Sequence, residues 1–135
     1  MARILLIEDD HTVRAVLRMS LTGVGHTVTE ARNGKEGLDL FKRAGADLVI
    51  TDIIMPEKEG LEVLRELNKK QVPPVKVIAI SGGGVSQGAG DALRMARLLG
   101  AAKTLAKPFS NEVLIAAVNE VLLGGKSSAQ PPAAQ

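Results

Sequence analysis

The sequence contains no cysteine, no tryptophan and no tyrosine, and only two phenylalanines, Phe41 and Phe109. Without cysteine, the chain has no disulfides, zinc–thiolate sites or thiol catalysis. The scarcity of aromatic rings argues against a single-strand nucleic-acid binder, because such proteins stack bases on aromatic side chains. No apolar run approaches the ~20 residues of a membrane-spanning helix, and the first run, residues 4–7, is too short for a secretory signal. These absences predict a soluble cytoplasmic protein.

A strong excess of charge of one sign is also missing. The 17 Lys and Arg residues are set against 15 Asp and Glu residues, which leaves a net charge of +2. The basic residues are scattered along the chain and form no stripe, so direct binding of nucleic acid is not predicted. A length of 135 residues fits one domain of ordinary size.

Short apolar runs alternate with segments of helical periodicity. Residues 4–7, 48–50 and 77–80 predict strands that are buried on both faces, as in a parallel sheet. Residues 27–30 alternate polar and apolar side chains, which fits a strand at the sheet edge. Residues 101–106 predict a fifth, weaker strand. The expected fold is therefore α/β, with right-handed crossovers that place helices on both faces of a doubly wound sheet.

Five helices are predicted to follow the five strands. Val13, Val16, Leu17 and Leu21 share one helical face, and Asn33 with Glu36 forms a capping-box-like start of the next helix. The last helix is predicted to begin at Ser110 and to bury Val113, Leu114, Ala117, Val118, Val121 and Leu122. From residue 124 onward periodicity ends. The prediction is a domain over residues 1–123 and a flexible tail or linker over residues 124–135.

Polar side chains follow four of the five predicted strands, at the edge of a parallel sheet where ligands bind. The first strand is followed by Glu8, Asp9 and Asp10, and the others end in Asp52, Ser81 and Lys107. Each has an ordinary explanation alone, since acids cap helices, Ser81 precedes three glycines in a turn-like segment, and a lysine is usually a surface residue. Their coincidence at one sheet edge instead favours a functional site.

These groups suit phosphoryl transfer. Clustered carboxylates repel one another unless a divalent cation lies among them, and magnesium prefers oxygen ligands. A carboxylate at Asp52 can act as a nucleophile and form an acyl phosphate. The Lys107 ammonium and the Ser81 hydroxyl can stabilise negative charge on the transferring group.

Four motifs together resemble the receiver domain of bacterial two-component response regulators. They are Ile7-Glu8-Asp9-Asp10, Thr51-Asp52-Ile53-Ile54-Met55-Pro56 with Gly60, Ser81-Gly82, and Lys107-Pro108-Phe109. The similarity covers residues 3–123. It implies the flavodoxin-like fold of chemotaxis regulators, with strand order 2-1-3-4-5.

The resemblance also implies roles for single residues. Asp52 would be the phosphoacceptor, and Ser81 and Lys107 would contact the phosphoryl group. Mg2+, for which Mn2+ could substitute, would be held by Asp9 and Asp52, by Glu8 through water, and by the backbone carbonyl of Ile54. Asp10 is as readily explained as a helix N-cap.

The implied partners are a sensor histidine kinase or a histidine phosphotransfer protein, together with an unknown downstream protein. The chain would catalyse only its own phosphorylation and dephosphorylation, as a stand-alone regulator or a fragment of a larger one. Thr104 departs from the aromatic residue that relatives commonly carry, which places the usual route of signal readout in doubt. The glycine-rich residues 82–90 are a second candidate for that readout.

Three alternatives fit the sequence less well. A dehalogenase-type phosphatase would need an Asp-x-Asp pair and a cap, whereas Asp52 is followed by Ile53 and Ile54. A flavodoxin-like cofactor binder would need a phosphate loop where this chain has three acids. A receiver used only for docking would not need the complete set of acid, hydroxyl and lysine.

Overall fold

The computed structural model describes residues 2–53, 63, 65–67, 75–81, 94, 96–98 and 100–127. Its five strands are β1 (Arg3–Ile7), β2 (Thr27–Ala31), β3 (Leu48–Asp52), β4 (Lys76–Ser81) and β5 (Lys103–Ala106). All neighbouring pairs are parallel, and the sheet order is β2-β1-β3-β4-β5. The predicted α/β class, the strand order 2-1-3-4-5 and the edge position of the second strand are confirmed.

Helices connect the strands and follow the last one. They are α1 (His11–Gly23), α2 (Gly34–Ala44), α3 with residues 63 and 65–67, α4 with residues 94 and 96–98, and α5 (Asn111–Ser127). None of the helices in the described ranges is both long enough and apolar enough to cross a membrane. Helix α5 continues four residues beyond the predicted domain end at 123, and the division into domain and tail stays a prediction.

The sheet is packed on both faces, because successive side chains of a strand point to opposite sides. Ile4 and Leu6 of β1 face the side covered by α1 and α5, where Leu17, Leu21, Leu114 and Val118 complete one core. Leu5 and Ile7 face the other side, which is covered by Leu38, Phe41, Val63, Leu67 and Ala96. The central strands are thereby buried almost completely, and their polar termini lie together at one edge.

Two predicted helix starts are confirmed by their caps. The Asn33 side chain accepts a hydrogen bond from the Glu36 amide at 2.8 Å, and the Glu36 carboxylate accepts one from the Arg32 amide at 2.6 Å. Ser110 Oγ accepts a hydrogen bond from the Val113 amide at 3.1 Å. These bonds satisfy amides that have no partner within the helix.

One residue of each of two predicted apolar faces is exposed. Val113 was predicted to be buried, but it is 46% exposed, because α5 faces the core through Leu114, Ala117, Val118 and Val121. Val16 is 51% exposed, since the buried stripe of α1 runs through Arg14, Leu17 and Leu21. Neighbouring helix positions are about 100° apart, so a shift of one residue turns a side chain from core to solvent.

Candidate functional site

The polar residues predicted at the strand ends lie at the same edge of the sheet. Parallel pairing places Ile7 opposite Thr51, Asp52 opposite Ile80, and Ser81 opposite Ala106. The residues that follow β1 and β5 therefore meet the last residues of β3 and β4. Sheet register thus brings together chain segments that are distant in sequence.

Three carboxylates form a cluster at this edge. Glu8, Asp9 and Asp52 each offer an oxygen, and these oxygens lie within 4.8 Å of one another. Glu8 is 1% exposed and Asp52 is 4% exposed, whereas Asp9 is exposed to solvent. The cluster is therefore buried on the sheet side and open on the other, which leaves access for a small ion or group.

Lys107 supplies positive charge to the cluster. Its ammonium donates hydrogen bonds to Glu8 Oε1 and to Asp52 Oδ2, each at 3.2 Å. The Lys107–Pro108 peptide bond is cis. One ammonium cannot neutralise three carboxylates, so the site retains a negative charge that suits a divalent cation.

Burial and neighbouring charges shift the pKa values of Glu8 and Lys107. Desolvation, followed by repulsion from Asp52, raises the pKa of the Glu8 carboxyl from 4.5 to about 7, although the Asp10 amide and Lys107 oppose the shift. Burial acts to lower the pKa of the Lys107 ammonium, but attraction to Asp52 and Glu8 outweighs it and the pKa is raised. Lys107 is thus held in its charged form beside acids whose charges repel.

Ser81 places a hydroxyl next to this cluster. The residue is 1% exposed, and within the described ranges its Oγ has no hydrogen-bond partner. A buried polar atom without a partner is uncommon and costs free energy. Its position at the end of β4, beside the strand that ends in Asp52, fits a donor to a group bound at Asp52.

The donor set fits a magnesium ion. The clustered groups are carboxylate oxygens, which Mg2+ prefers, and the open side leaves room for water and phosphate oxygens. Ile54, the predicted backbone ligand, lies outside the described residues. Asp10 is the N-cap of α1, where its side chain accepts a hydrogen bond from the Val13 amide at 3.0 Å.

The sequence analysis did not identify Arg14, whose buried guanidinium lies against the backbone of the acidic segment after β1, residues 8–10. Its Nη1 donates a hydrogen bond to the backbone oxygen of Glu8 at 2.8 Å. A signal was present, because Arg14, Leu17 and Leu21 are spaced by three and four residues and so share a helix face. A cation on an apolar face needs buried partners.

Comparison with known proteins identifies a well-populated family. A family model described as the response regulator receiver domain matches residues 4–119. The probable transcriptional regulator ycf27 of Porphyridium aerugineum is 37% identical over 122 residues, which are 89% of this chain and 48% of that protein. Response regulator MprA of Mycolicibacterium vanbaalenii is 37% identical over 121 residues, which are 89% of this chain and 50% of that protein. The chain thus spans about half the length of these relatives.

Solved structures agree with the sequence matches. A response regulator receiver domain protein from Clostridium thermocellum superposes with a TM-score of 0.83 at 33% identity, covering 93% of this chain and 98% of that one. A receiver domain protein described as CheY-like, from Methanospirillum hungatei, gives a TM-score of 0.83 at 26% identity, covering 95% and 98%. In both cases the likeness extends over nearly the whole of each chain.

Proposed function

Because the chain belongs to the response regulator receiver domain family, we propose that it accepts a phosphoryl group on Asp52 in a reaction that requires a divalent cation. The observation that carries this proposal is the position of Asp52. Its buried carboxylate lies in a cluster with Glu8 and Asp9 and within 3.2 Å of the Lys107 ammonium. These residues also lie in the motifs by which the sequence resembles that family.

In the proposed reaction an Asp52 carboxylate oxygen attacks the phosphorus of a phosphohistidine or a small acyl phosphate. A new oxygen–phosphorus bond forms while the bond from phosphorus to the donor breaks, and the donor keeps that electron pair and takes up a proton. Lys107 pairs with a phosphoryl oxygen, and the buried Ser81 hydroxyl donates to another. Both contacts strengthen as negative charge gathers on the transferring group.

The metal half of the proposal assigns Mg2+, or Mn2+ in its place, to Glu8, Asp9 and Asp52, with the Ile54 carbonyl as a further ligand. The three carboxylates support this assignment because their oxygens lie within 4.8 Å of one another. When bound, the cation would neutralise the charge of the phosphoryl oxygens. Glu8 and Asp9 follow β1 and Ser81 ends β4, so the proposed metal ligands and the Ser81 hydroxyl come from strands on opposite sides of β3.

The proposed partners follow from the chemistry of the donor. A histidine kinase or a histidine phosphotransfer protein would supply the phosphoryl group, and a downstream protein would bind the phosphorylated form. The relatives that are named transcriptional regulators are about twice as long as this chain. The reaction modifies the chain itself, so we do not propose turnover of a separate substrate.

Intact mass spectrometry tests the proposal. After incubation with acetyl phosphate and Mg2+, the wild type should gain one phosphoryl group, and Asp52→Asn should gain none. The matched control is Asp47→Asn, which removes an exposed carboxylate just before the other end of β3 and should be labelled like the wild type. Chelation of the metal should abolish labelling. Unchanged labelling of Asp52→Asn would overturn the assignment.

A further inference from the structure

Arg14 is the only basic residue that is buried in the described part of the chain. The other four buried polar residues are Glu8, Thr51, Asp52 and Ser81, and all of them belong to the candidate site or adjoin it. Burial of a guanidinium is unfavourable unless its donors are paired. Burial of Arg14 beside this site therefore requires hydrogen-bond partners for its guanidinium.

The three donor groups of Arg14 all have partners. Its Nη1 donates to the backbone oxygen of Glu8 at 2.8 Å, and its Nε donates to Glu30 Oε1 at 3.2 Å. Its Nη2 lies 3.2 Å from His11 Nδ1. Since a guanidinium only donates, this ring nitrogen accepts. The guanidinium thus connects the loop before α1 to α1 itself and to β2.

The other polar atoms of Glu8 are hydrogen-bonded as well. The Glu8 amide donates to the Ala31 oxygen at 3.1 Å. The Glu8 carboxylate accepts a hydrogen bond from the Asp10 amide at 3.1 Å. Arg14 holds the remaining backbone atom, the carbonyl that leads directly to Asp9. Because this carbonyl joins Glu8 to Asp9, a contact that fixes it restricts the backbone torsions on which both carboxylates are carried.

We propose that Arg14 is a positioning residue of the acidic site, which sets the geometry of cation binding through the Glu8 carbonyl without touching the cation. The inference rests on the proposed function in that it concerns the same cation site. The simpler account is that Arg14 only joins α1 to β2 through Glu30. Partners outside the first ligands of a metal site commonly change its affinity by 10- to 100-fold.

Arg18 provides a matched control. Its Nε contacts the other oxygen of Glu30 at 3.0 Å, yet its side chain is 40% exposed. In the described part of the chain no hydrogen bond or ion pair joins Arg18 to Glu8. Arg14→Gln and Arg18→Gln each remove one positive charge that pairs with the Glu30 carboxylate. Only Arg14→Gln also removes the hydrogen bond to the Glu8 carbonyl. Comparing the two variants therefore separates the effect of the contact with Glu8 from the effect of the ion pairs that join α1 to β2.

Two measurements on the full chain test the proposal. In calorimetry, Arg14→Gln should bind Mg2+ roughly 10-fold more weakly than the wild type, and Arg18→Gln should bind it nearly as tightly as the wild type. In the metal-free protein, the Asp10 amide should exchange with deuterium faster in Arg14→Gln than in Arg18→Gln. Equal Mg2+ affinity and equal exchange in these two variants would overturn the proposal.

A second pair of variants keeps the proposal testable if the first does not fold. If Arg14→Gln does not fold, Arg14→Lys is compared with Arg18→Lys, because lysine keeps the charge but lacks the forked donors. The Arg14 variant should again bind Mg2+ more weakly, and equal affinities would overturn the proposal. If the proposed function were wrong, the wild type itself would take no phosphoryl group on Asp52. That result is distinct from equal Mg2+ affinities of the Arg14 and Arg18 variants. The exchange of the Asp10 amide does not depend on phosphorylation.

Discussion

At the scale of single residues, the site places like charges close together and removes two of them from water. Glu8 is almost completely buried, and its raised pKa shows that the fold disfavours its ionised form. Lys107 offsets part of the repulsion by bonding to both Glu8 and Asp52. The remaining imbalance is the physical reason to expect a cation, and it makes the stability of the metal-free protein sensitive to pH.

We predict that the metal-free protein loses stability as the pH rises from about 5 to 7. The pKa of Glu8 is raised from 4.5 to about 7, so in this window the folded state binds more protons than the unfolded state. Glu8→Gln removes this difference and should be more stable than the wild type at pH 8, by on the order of 3 kcal/mol.

Thermal unfolding in a chelator measures this effect across the pH range. The advantage of Glu8→Gln should shrink below pH 5 and shrink again when Mg2+ is added. Asp39→Asn, which neutralises an exposed carboxylate of α2, should follow the wild type at every pH. A Glu8→Gln variant that is less stable than the wild type at pH 8 in the chelator would contradict the account of Glu8.

Ser81→Ala should separate stability from reactivity. The substitution deletes a buried hydroxyl that lacks a partner within the described ranges, so the free energy of unfolding should stay constant or rise by up to about 1 kcal/mol. Phosphorylation by acetyl phosphate should slow by roughly 10- to 100-fold, because a charge-assisted hydrogen bond is lost. Chemical denaturation and the rate of phosphoryl uptake check the two halves. An unchanged rate would remove Ser81 from the site.

At the scale of elements, the packing of α2 against β1 depends on a glycine. An added Cβ at Gly37 would lie 2.7 Å from Ile7 Cγ1, which is closer than van der Waals contact permits, and it would also meet Ile7 Cδ1. Ile7 directly precedes Glu8, so this packing supports the strand that leads into the site. A side chain at position 37 would push the helix away from the sheet.

Gly37→Ala should therefore destabilise the protein by about 1–3 kcal/mol, even though alanine is the better helix former. Gly23→Ala is the matched control, since a Cβ there meets nothing within 4 Å. That change should be neutral or stabilise by up to about 1 kcal/mol. Urea denaturation of both variants gives the comparison. If Gly37→Ala is as stable as Gly23→Ala, the close approach of α2 does not constrain the fold.

Elements were predictable from sequence where one local pattern determines them. The strands of the sheet centre appear as continuous apolar runs because both of their faces are buried. The N-caps were equally local. Arg14 was missed because the reasons for its burial, the Glu8 carbonyl and Glu30, come from other elements. The exposed faces of Val16 and Val113 depend on how each helix is rotated against the sheet, which local periodicity defines only to about one residue.

At the scale of the whole molecule, phosphorylation of Asp52 would have to change a surface that a partner can bind. Thr104 lies half-buried in β5 and pairs with Ala79 of β4. Threonine is short and stiff, so it cannot swing between buried and exposed positions as a larger side chain could. Residues 82–90, the glycine-rich alternative predicted from the sequence, lie outside the described residues.

We predict that the response is read out through residues 82–90. With Mg2+ and beryllofluoride, a phosphoryl analogue, the amides of these residues should gain protection from hydrogen exchange, because Ser81 would be drawn toward the bound group. The amides of β5 should change little. Asp52→Asn supplies the control, since it should show no response to the analogue. If the largest change falls on residues 103–106, the signal leaves through β5 instead.

Reductive trapping would show whether phosphorylation forms an acyl phosphate on Asp52. Borohydride reduces an acyl phosphate to an alcohol, which converts a phosphorylated aspartate to homoserine. After reaction with acetyl phosphate and Mg2+, reduction and peptide sequencing by mass spectrometry should find homoserine at position 52 and aspartate at position 9. Homoserine at position 9 or at another aspartate, with aspartate unchanged at position 52, would show that Asp52 is not the phosphoacceptor.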